Sequence, residues 1–267
     1  MARRSQQPVR VLGVDETSFQ KRFEYVTIVA DLEERRVLWV GDHRRQETLQ
    51  GFWEGLPEAH RGAVKVVVMD MWDAYIAATR EGLPEGSAKI VFDRFHVVQH
   101  LNEAVDEVRR AEQRELRQAG EQERAQALKG TRFVLLRGEK RRTEADEERI
   151  RQLQESGLKV GLAWALKERA LEFWKCPTVT SALRFFENWE RHVEASGLQP
   201  MRRVATMMRK YMYGLLAYIW HPYTNALTEG LNSKIQEIKY RARGYRNRDN
   251  FRLAILFHCG GLAMDPR

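Results

Sequence analysis

Residues 9–19, VRVLGVDETSF, decide how this chain reads. An apolar run leads straight into Asp15, which puts a carboxylate at the end of a buried strand. A second such run, AVKVVVMD at 63–70, ends on Asp70. It is almost wholly apolar, as expected of a strand covered on both faces. Around these two, RFEYVTIVADL (22–32) and RRVLWVGDH (35–43) are rich in β-branched and aromatic residues and read as further strands. Their short polar links predict an antiparallel meander. QETLQGFWEGL (46–56) predicts a helix with Leu49, Phe52, Trp53 and Leu56 on one face. MWDAYIAATREG (71–82) predicts a short helix closing at Gly82, and AKIVFD (88–93) a fifth strand. The order is βββαβαβ, an α/β class.

After Phe95 the pattern turns helical. Residues 102–130 are densely charged. Segments 144–175 and 178–195 carry apolar residues at helical spacing, with Pro177 between them. Further helices are expected over 201–219, from 225 onward and over 248–262. The expected division is a basic tail at 1–8, the first part of an α/β core at 9–101, a helical block at 102–221, and a return to the core at 222–262.

Composition narrows the class. The chain has 267 residues, 43% of them apolar, and no stretch approaches the ~20 apolar residues a membrane helix needs. The N-terminus lacks the apolar segment of a signal peptide. Cys176 and Cys259 lie far apart, which argues against a disulfide framework and a zinc ribbon. A cytoplasmic setting without a membrane partner is the expectation. Between Gln199 and Arg252, eleven basic residues face only Glu229, Glu237 and Asp249, a local +8 equal to the charge of the whole chain. Such a concentration suggests a polyanionic partner, nucleic acid above all, although a solvated basic face would look the same.

If the two apolar strands are neighbours, Asp15 and Asp70 emerge at one sheet edge, where open α/β sheets place their ligand sites. Two close carboxylates repel unless a cation lies between them. Mg²⁺ takes such oxygen ligands together with phosphates, and a pair of ions suits phosphoryl transfer. Either aspartate alone would read equally well as a cap. A third acid, Glu229, opens a helix whose Leu227, Leu231, Ile235 and Ile238 form an apolar stripe. Asn225, Glu229, Asn232, Ser233 and Gln236 share its polar face. By itself Glu229 reads as a first-turn acid favoured by the helix dipole.

The combination of GVDE, VVMDMWDAY, FDRFHVVQHLNEAV and TNALTEGLNSKIQEIKYRARGYRNRDNFR resembles the ISL-three family of insertion-sequence transposases, within the DDE superfamily. The resemblance runs from about Val9 to Leu262. It implies an RNase H-like catalytic core (βββαβαβ) with adjacent first and fourth strands, and a large all-helical insertion before the last catalytic helix. It implies Asp15, Asp70 and Glu229 as the catalytic, metal-binding triad for two Mg²⁺ or Mn²⁺ ions. DRFH resembles an element found after the fifth strand in some relatives, which makes Asp93 and His96 accessory residues, with Asn225 and Asn232 beside the triad. The implied partners are DNA, as transposon terminal inverted repeats and target, held by Lys234, Lys239, Arg241, Arg243, Arg246 and Arg248. A homodimer or larger assembly would bring two DNA ends together, in the bacterial cytoplasm at the nucleoid. Complete members of that family also carry N-terminal zinc-binding and helix-turn-helix regions, which this sequence lacks. The alternatives are an RNase H-like nuclease without strand transfer, or a catalytically silent DNA-binding remnant.

Overall fold

The structure, a computed structural model, describes residues 8–20 and 24–261. Nearly all of the expected basic tail, and Leu262 at the far end, lie outside the described residues. The first elements are β1 (Val11–Gln20), β2 (Glu24–Asp31), β3 (Arg36–Asp42), α1 (Gln46–Gly55), α2 (Glu58–Ala63), β4 (Val66–Met69), α3 (Asp73–Gly82), α4 (Gly86–Lys89) and β5 (Ile90–Phe92). Then come α5 (Arg94–Gln118), α6 (Gln122–Ala127), α7 (Arg132–Leu136), α8 (Glu144–Glu155), α9 (Lys159–Leu171), α10 (Val179–Ser196) and α11 (Gln199–Lys210). The last are α12 (Met212–Trp220), α13 (Ala226–Arg241) and α14 (Arg248–Cys259). The short helices α2 and α4 were not foreseen, because neither is long enough to show a period.

The chain forms two compact units. One joins Met1–Asp93 to Tyr213–Arg267, and the other is Arg94–Met212. The expected division set the helical block at 102–221. In the structure α5 already begins within the DRFH stretch, at Arg94.

In the first unit the five strands form one mixed sheet in the order β3-β2-β1-β4-β5. The β1/β2 and β2/β3 pairs are antiparallel, and β1/β4 and β4/β5 are parallel. Side chains alternate between the two faces along each strand. On one face Phe19, Val26, Ile28, Val37 and Val40 pack against Ile235 of α13 and against Phe251, Ile255 and Cys259 of α14. Farther along that face, Val11, Leu32, Val66, Val68 and Val91 receive Ala217 and Tyr218 of α12 and Leu227 of α13. The apolar stripe read from the sequence thus spans two clusters of the core. On the opposite face Trp39 meets Phe52 of α1, ring centroids 5.6 Å apart. Tyr75 of α3 and Trp53 of α1 are fully buried.

The second unit is all helical among the described residues. Capping boxes start α8 (Thr143 with Asp146) and α10 (Thr178 with Ser181). Gly157 and Gly197 take the left-handed conformation that stops those helices. Buried Glu112 of α5 accepts from the Lys159 and Val160 amides at 2.6 and 2.9 Å, satisfying the free donors at the start of α9. Trp189 is buried and donates to the Leu166 carbonyl at 2.8 Å.

Candidate active site: carboxylates at the sheet edge

β1 pairs with β4 only through Val11–Val66, Leu12–Val67 and Gly13–Val68. The same register carried two residues further sets Asp15 level with Asp70. By then β4 has ended at Met69, while β1 runs on to Gln20. Asp15 therefore lies at mid-strand, not at the strand's end as the apolar run implied. What ends there is the pairing with β4. The strand itself continues because Thr17 and Phe19 are buried and β2 remains as its partner.

In the notch left by β4, ligand atoms of Asp15, Glu16 and Asp70 all lie within 4.8 Å of one another. Among the described residues no other set of acids, histidines or cysteines converges this closely, and Glu229 is not part of it. Neighbouring residues of a strand point to opposite faces, which is why Glu16 was missed. Its carboxylate joins Asp15 only because no strand separates the two faces beyond Met69. Three half-buried carboxylates and no sulfur or imidazole make a hard oxygen donor set that suits Mg²⁺ or Mn²⁺.

Each carboxylate of β1 has a different partner. Asp15 Oδ2 accepts from Asn232 Nδ2 at 2.7 Å, and Oδ1 from the Glu16 amide at 2.8 Å. Glu16 Oε1 accepts from Arg44 Nη1 at 2.8 Å. The Arg44 guanidinium lies over the Trp72 ring at 4.3 Å and the Tyr25 ring at 5.1 Å. Behind them Thr27 Oγ1 donates to the His43 carbonyl at 2.6 Å, which leaves the buried Tyr75 hydroxyl to donate to Thr27 at 2.9 Å. Burial first, then the charge of Glu16, push the Tyr75 phenol well above its ordinary value.

α13 is pinned along β1 at regular steps. Gly13 meets Thr228, Asn232 reaches Asp15, Gln236 donates to Thr17 Oγ1 at 2.6 Å, and Lys239 Nζ donates to the Ser18 carbonyl at 2.8 Å. Four helical residues rise ~6 Å and two strand residues ~6.6 Å, so the first three contacts stay in step over about two turns, and Lys239 adds a fourth one turn on. Gly13 is required: a Cβ there would come within 2.6 Å of Thr228 Oγ1 and 2.7 Å of Leu32. Glu229 is exposed in the first turn of α13, three residues before Asn232. Residues so spaced are neighbours on a helix surface, so Glu229 stands beside the cluster without joining it.

The structure brings Asp93 and Asn225 together. Asp93 is 2% exposed, and its Oδ2 accepts from the Asn225 amide at 3.0 Å. Asn225 Oδ1 in turn accepts from Thr228 Oγ1 at 2.6 Å. This chain of bonds anchors the start of α13. His96 belongs to the helical unit.

Not all of the counted positive charge is available. In the helical unit Arg202, Arg203 and Arg209 pair with Glu194, Glu107 and Glu190. In the sheet unit Lys234 donates to the His258 carbonyl at 2.8 Å, Arg241 pairs with Glu237 and Arg248 with Glu24. Lys239 is held at Ser18, where burial lowers its pKa. Arg243 and Arg246 are exposed, with no ion pair among the described residues. A groove of about 800 Å³ is lined by Gln236, Lys239, Tyr240, Arg241, Arg243 and Gly244. Tyr240 is 85% exposed in this region, whereas Tyr245 packs on buried Phe251 at 5.1 Å.

Fold and site together define an α/β protein with a carboxylate cluster at the edge of a mixed sheet and a basic helix docked beside it. The profile of the ISL-three-type DDE family, described as "Transposase", matches residues 12–255, and the chain belongs to this family. It is 31% identical over 248 residues to the transposase for insertion sequence element IS1001 of Bordetella parapertussis, covering 92% of this chain and 60% of that protein. It is 22% identical over 258 residues to the transposase for insertion sequence element IS1557 of Mycobacterium tuberculosis, covering 90% and 57%. The chain therefore spans about three fifths of the length of these curated relatives. No solved structure matches significantly. No helix among the described residues is long and apolar enough to cross a membrane.

Proposed function

We propose that this chain is the catalytic part of a DDE transposase, with an RNase H-like core and the helical unit as its insertion. The observation that carries the reading is the meeting of Asp15 and Asp70, from adjacent parallel strands, in a notch lined by three carboxylates. The strand order β3-β2-β1-β4-β5 supports the RNase H-like assignment. Asp15 and Asp70 would hold two Mg²⁺ or Mn²⁺ ions, with Glu229 completing the set from the first turn of α13. Bound there, such ions supply Lewis acidity at the scissile phosphate and activation of the attacking oxygen.

The reaction is hydrolysis at the element's ends, freeing a 3′-hydroxyl, followed by attack of that hydroxyl on target DNA. Asn232 fixes the Asp15 carboxylate, and the α13–β1 contacts fix Asn232. Asp93 acts on the site through the start of α13, as a positioning residue. Arg243 and Arg246 are the best placed of the six basic residues to meet backbone phosphates, with Lys234, Lys239, Arg241 and Arg248 as supporting cations. The DNA partners are the terminal inverted repeats and the target, and joining two ends calls for at least a dimer.

The test is Mn²⁺-dependent nicking and joining of DNA carrying the element's terminal repeats. Asp15→Ala should abolish both reactions and weaken Mn²⁺ binding in calorimetry while largely sparing DNA binding. Nicking without joining would favour a nuclease. Wild-type protein that binds DNA but never nicks it would favour a silent remnant. Undiminished cleavage by Asp15→Ala would overturn the carboxylate site.

A further inference from the structure

Trp72 stands two residues past Asp70, at the start of α3, and is 40% exposed. Its indole is nonetheless held firmly. The Arg44 guanidinium covers it at 4.3 Å, and Nε1 donates to the Arg44 carbonyl at 3.4 Å. Arg44 is itself fixed by Glu16 at 2.8 Å and by the Tyr25 ring at 5.1 Å. The ring is therefore tied to the carboxylate cluster through a single guanidinium. Trp220 (72%) and Tyr240 (85%), on α12 and α13, are more exposed than Trp72 but have no cation over the ring among the described residues.

A clamped, half-bare indole beside a phosphate site has a specific use. A nucleotide whose phosphate is held at Asp15 and Asp70 carries its base one sugar away, and Trp72 follows Asp70 by two residues, with Arg44 linking its ring to Glu16. In intact duplex that base is stacked on its neighbours. Freed at a nick or a frayed end, it can stack on an aromatic ring instead. Arg44 presses on the ring's π-system from one side and keeps the plane fixed.

We infer that Trp72, backed by Arg44, is a stacking platform for one unpaired nucleobase next to the scissile phosphate. The inference rests on the proposed phosphate site and deepens it. The platform offers no hydrogen-bond code, so it accepts any base. Its contribution is to hold the strand once a base has left the helix.

The experiment uses the full chain and two DNA probes: a blunt duplex, and the same duplex with a short single-stranded tail whose first base is 2-aminopurine. Wild-type protein should quench 2-aminopurine fluorescence and prefer the tailed probe. Trp72→Ala should remove the quench and weaken tailed-probe binding roughly tenfold, leaving blunt-duplex affinity unchanged. Should Trp72→Ala misfold, Trp72→Leu decides, since it keeps apolar bulk but has no π-face; it too should fail to quench. Wild-type quenching by either folded variant overturns the inference. The two claims have separate readouts: cleavage by Asp15→Ala tests the carboxylate site, and quenching by the Trp72 variants tests the platform. If Asp15→Ala still cleaves, the carboxylate site falls and the quench result stands by itself.

Discussion

Glu16 and Glu229 differ in what each carboxylate already does. Glu16 is neutralised by Arg44, whereas Glu229 is exposed beside the cluster. If Glu229 completes the set, Glu229→Gln should weaken Mn²⁺ binding clearly more than Glu16→Gln in calorimetry; the reverse order would make Glu16 the third ligand. Asn232 orients Asp15 from outside the donor set, so Asn232→Leu should weaken Mn²⁺ binding by roughly 10- to 100-fold without unfolding the chain. Tyr75 supplies a pH prediction. Its phenol is raised above the free value of 10.0. Below pH 10 both folded and unfolded chains keep the proton and stability is constant. Above it the unfolded chain ionises first, so stability falls as pH rises. Urea unfolding at pH 9 and 11 should show this loss, and Tyr75→Phe should reduce it. That Asp15 and Asp70 lie together was legible because apolar runs led into both. That Glu16 joins them was not, because it depends on where β4 stops.

At the scale of elements, the β1–α13 seam holds the site. The helix, its apolar stripe and its polar face were readable from residue spacing. Its register was not, since Asn232 and Gln236 meet partners more than two hundred residues away. Gly13→Ala should push α13 off β1 and cost ~1–3 kcal/mol in urea unfolding, with metal binding lost alongside. The far end of α13 makes a different trade. The Gly244 amide donates to Lys239 O at 2.8 Å and the Arg243 amide to Tyr240 O at 2.9 Å, a Schellman closure that puts Arg243 at φ 54°. An arginine there is strained. Arg243→Gly should therefore stabilise the fold by about 0.5–1 kcal/mol while weakening DNA binding and reducing the salt slope by about one. A gain in stability without that loss would show that Arg243 touches no phosphate.

Over the whole molecule, the sequence count of charge overstated how much is left unpaired. Three arginines of the basic segment are spent on ion pairs inside the helical unit. Counting residues cannot reveal that pairing, because Glu107, Glu190 and Glu194 lie outside the segment. Removing Arg243 and Arg246 together should abolish most DNA affinity at physiological salt, whereas Arg202→Ala should leave it unchanged; filter binding across a salt series would show both. The mixed α/β class and the five strands were legible from their apolar runs. The change to helices after Phe95 was legible too, next to the start of α5 at Arg94, while the division proposed from the resemblance set its boundary later, at residue 101.

The division into units also bears on how the protein is made. The sheet unit is interrupted by the 119 residues of Arg94–Met212, which form a compact unit of their own. At ~5–20 residues per second on the ribosome, roughly 6–24 s pass between completing β5 and beginning α12. During that interval Val26, Ile28, Val37 and Val40 have no helices to cover them, and the notch between β1 and β4 has no Asn232. The helical unit can finish folding before the sheet is clad. Synthesis therefore delays assembly of the candidate site until nearly the whole chain has emerged, and leaves an apolar sheet face uncovered until then.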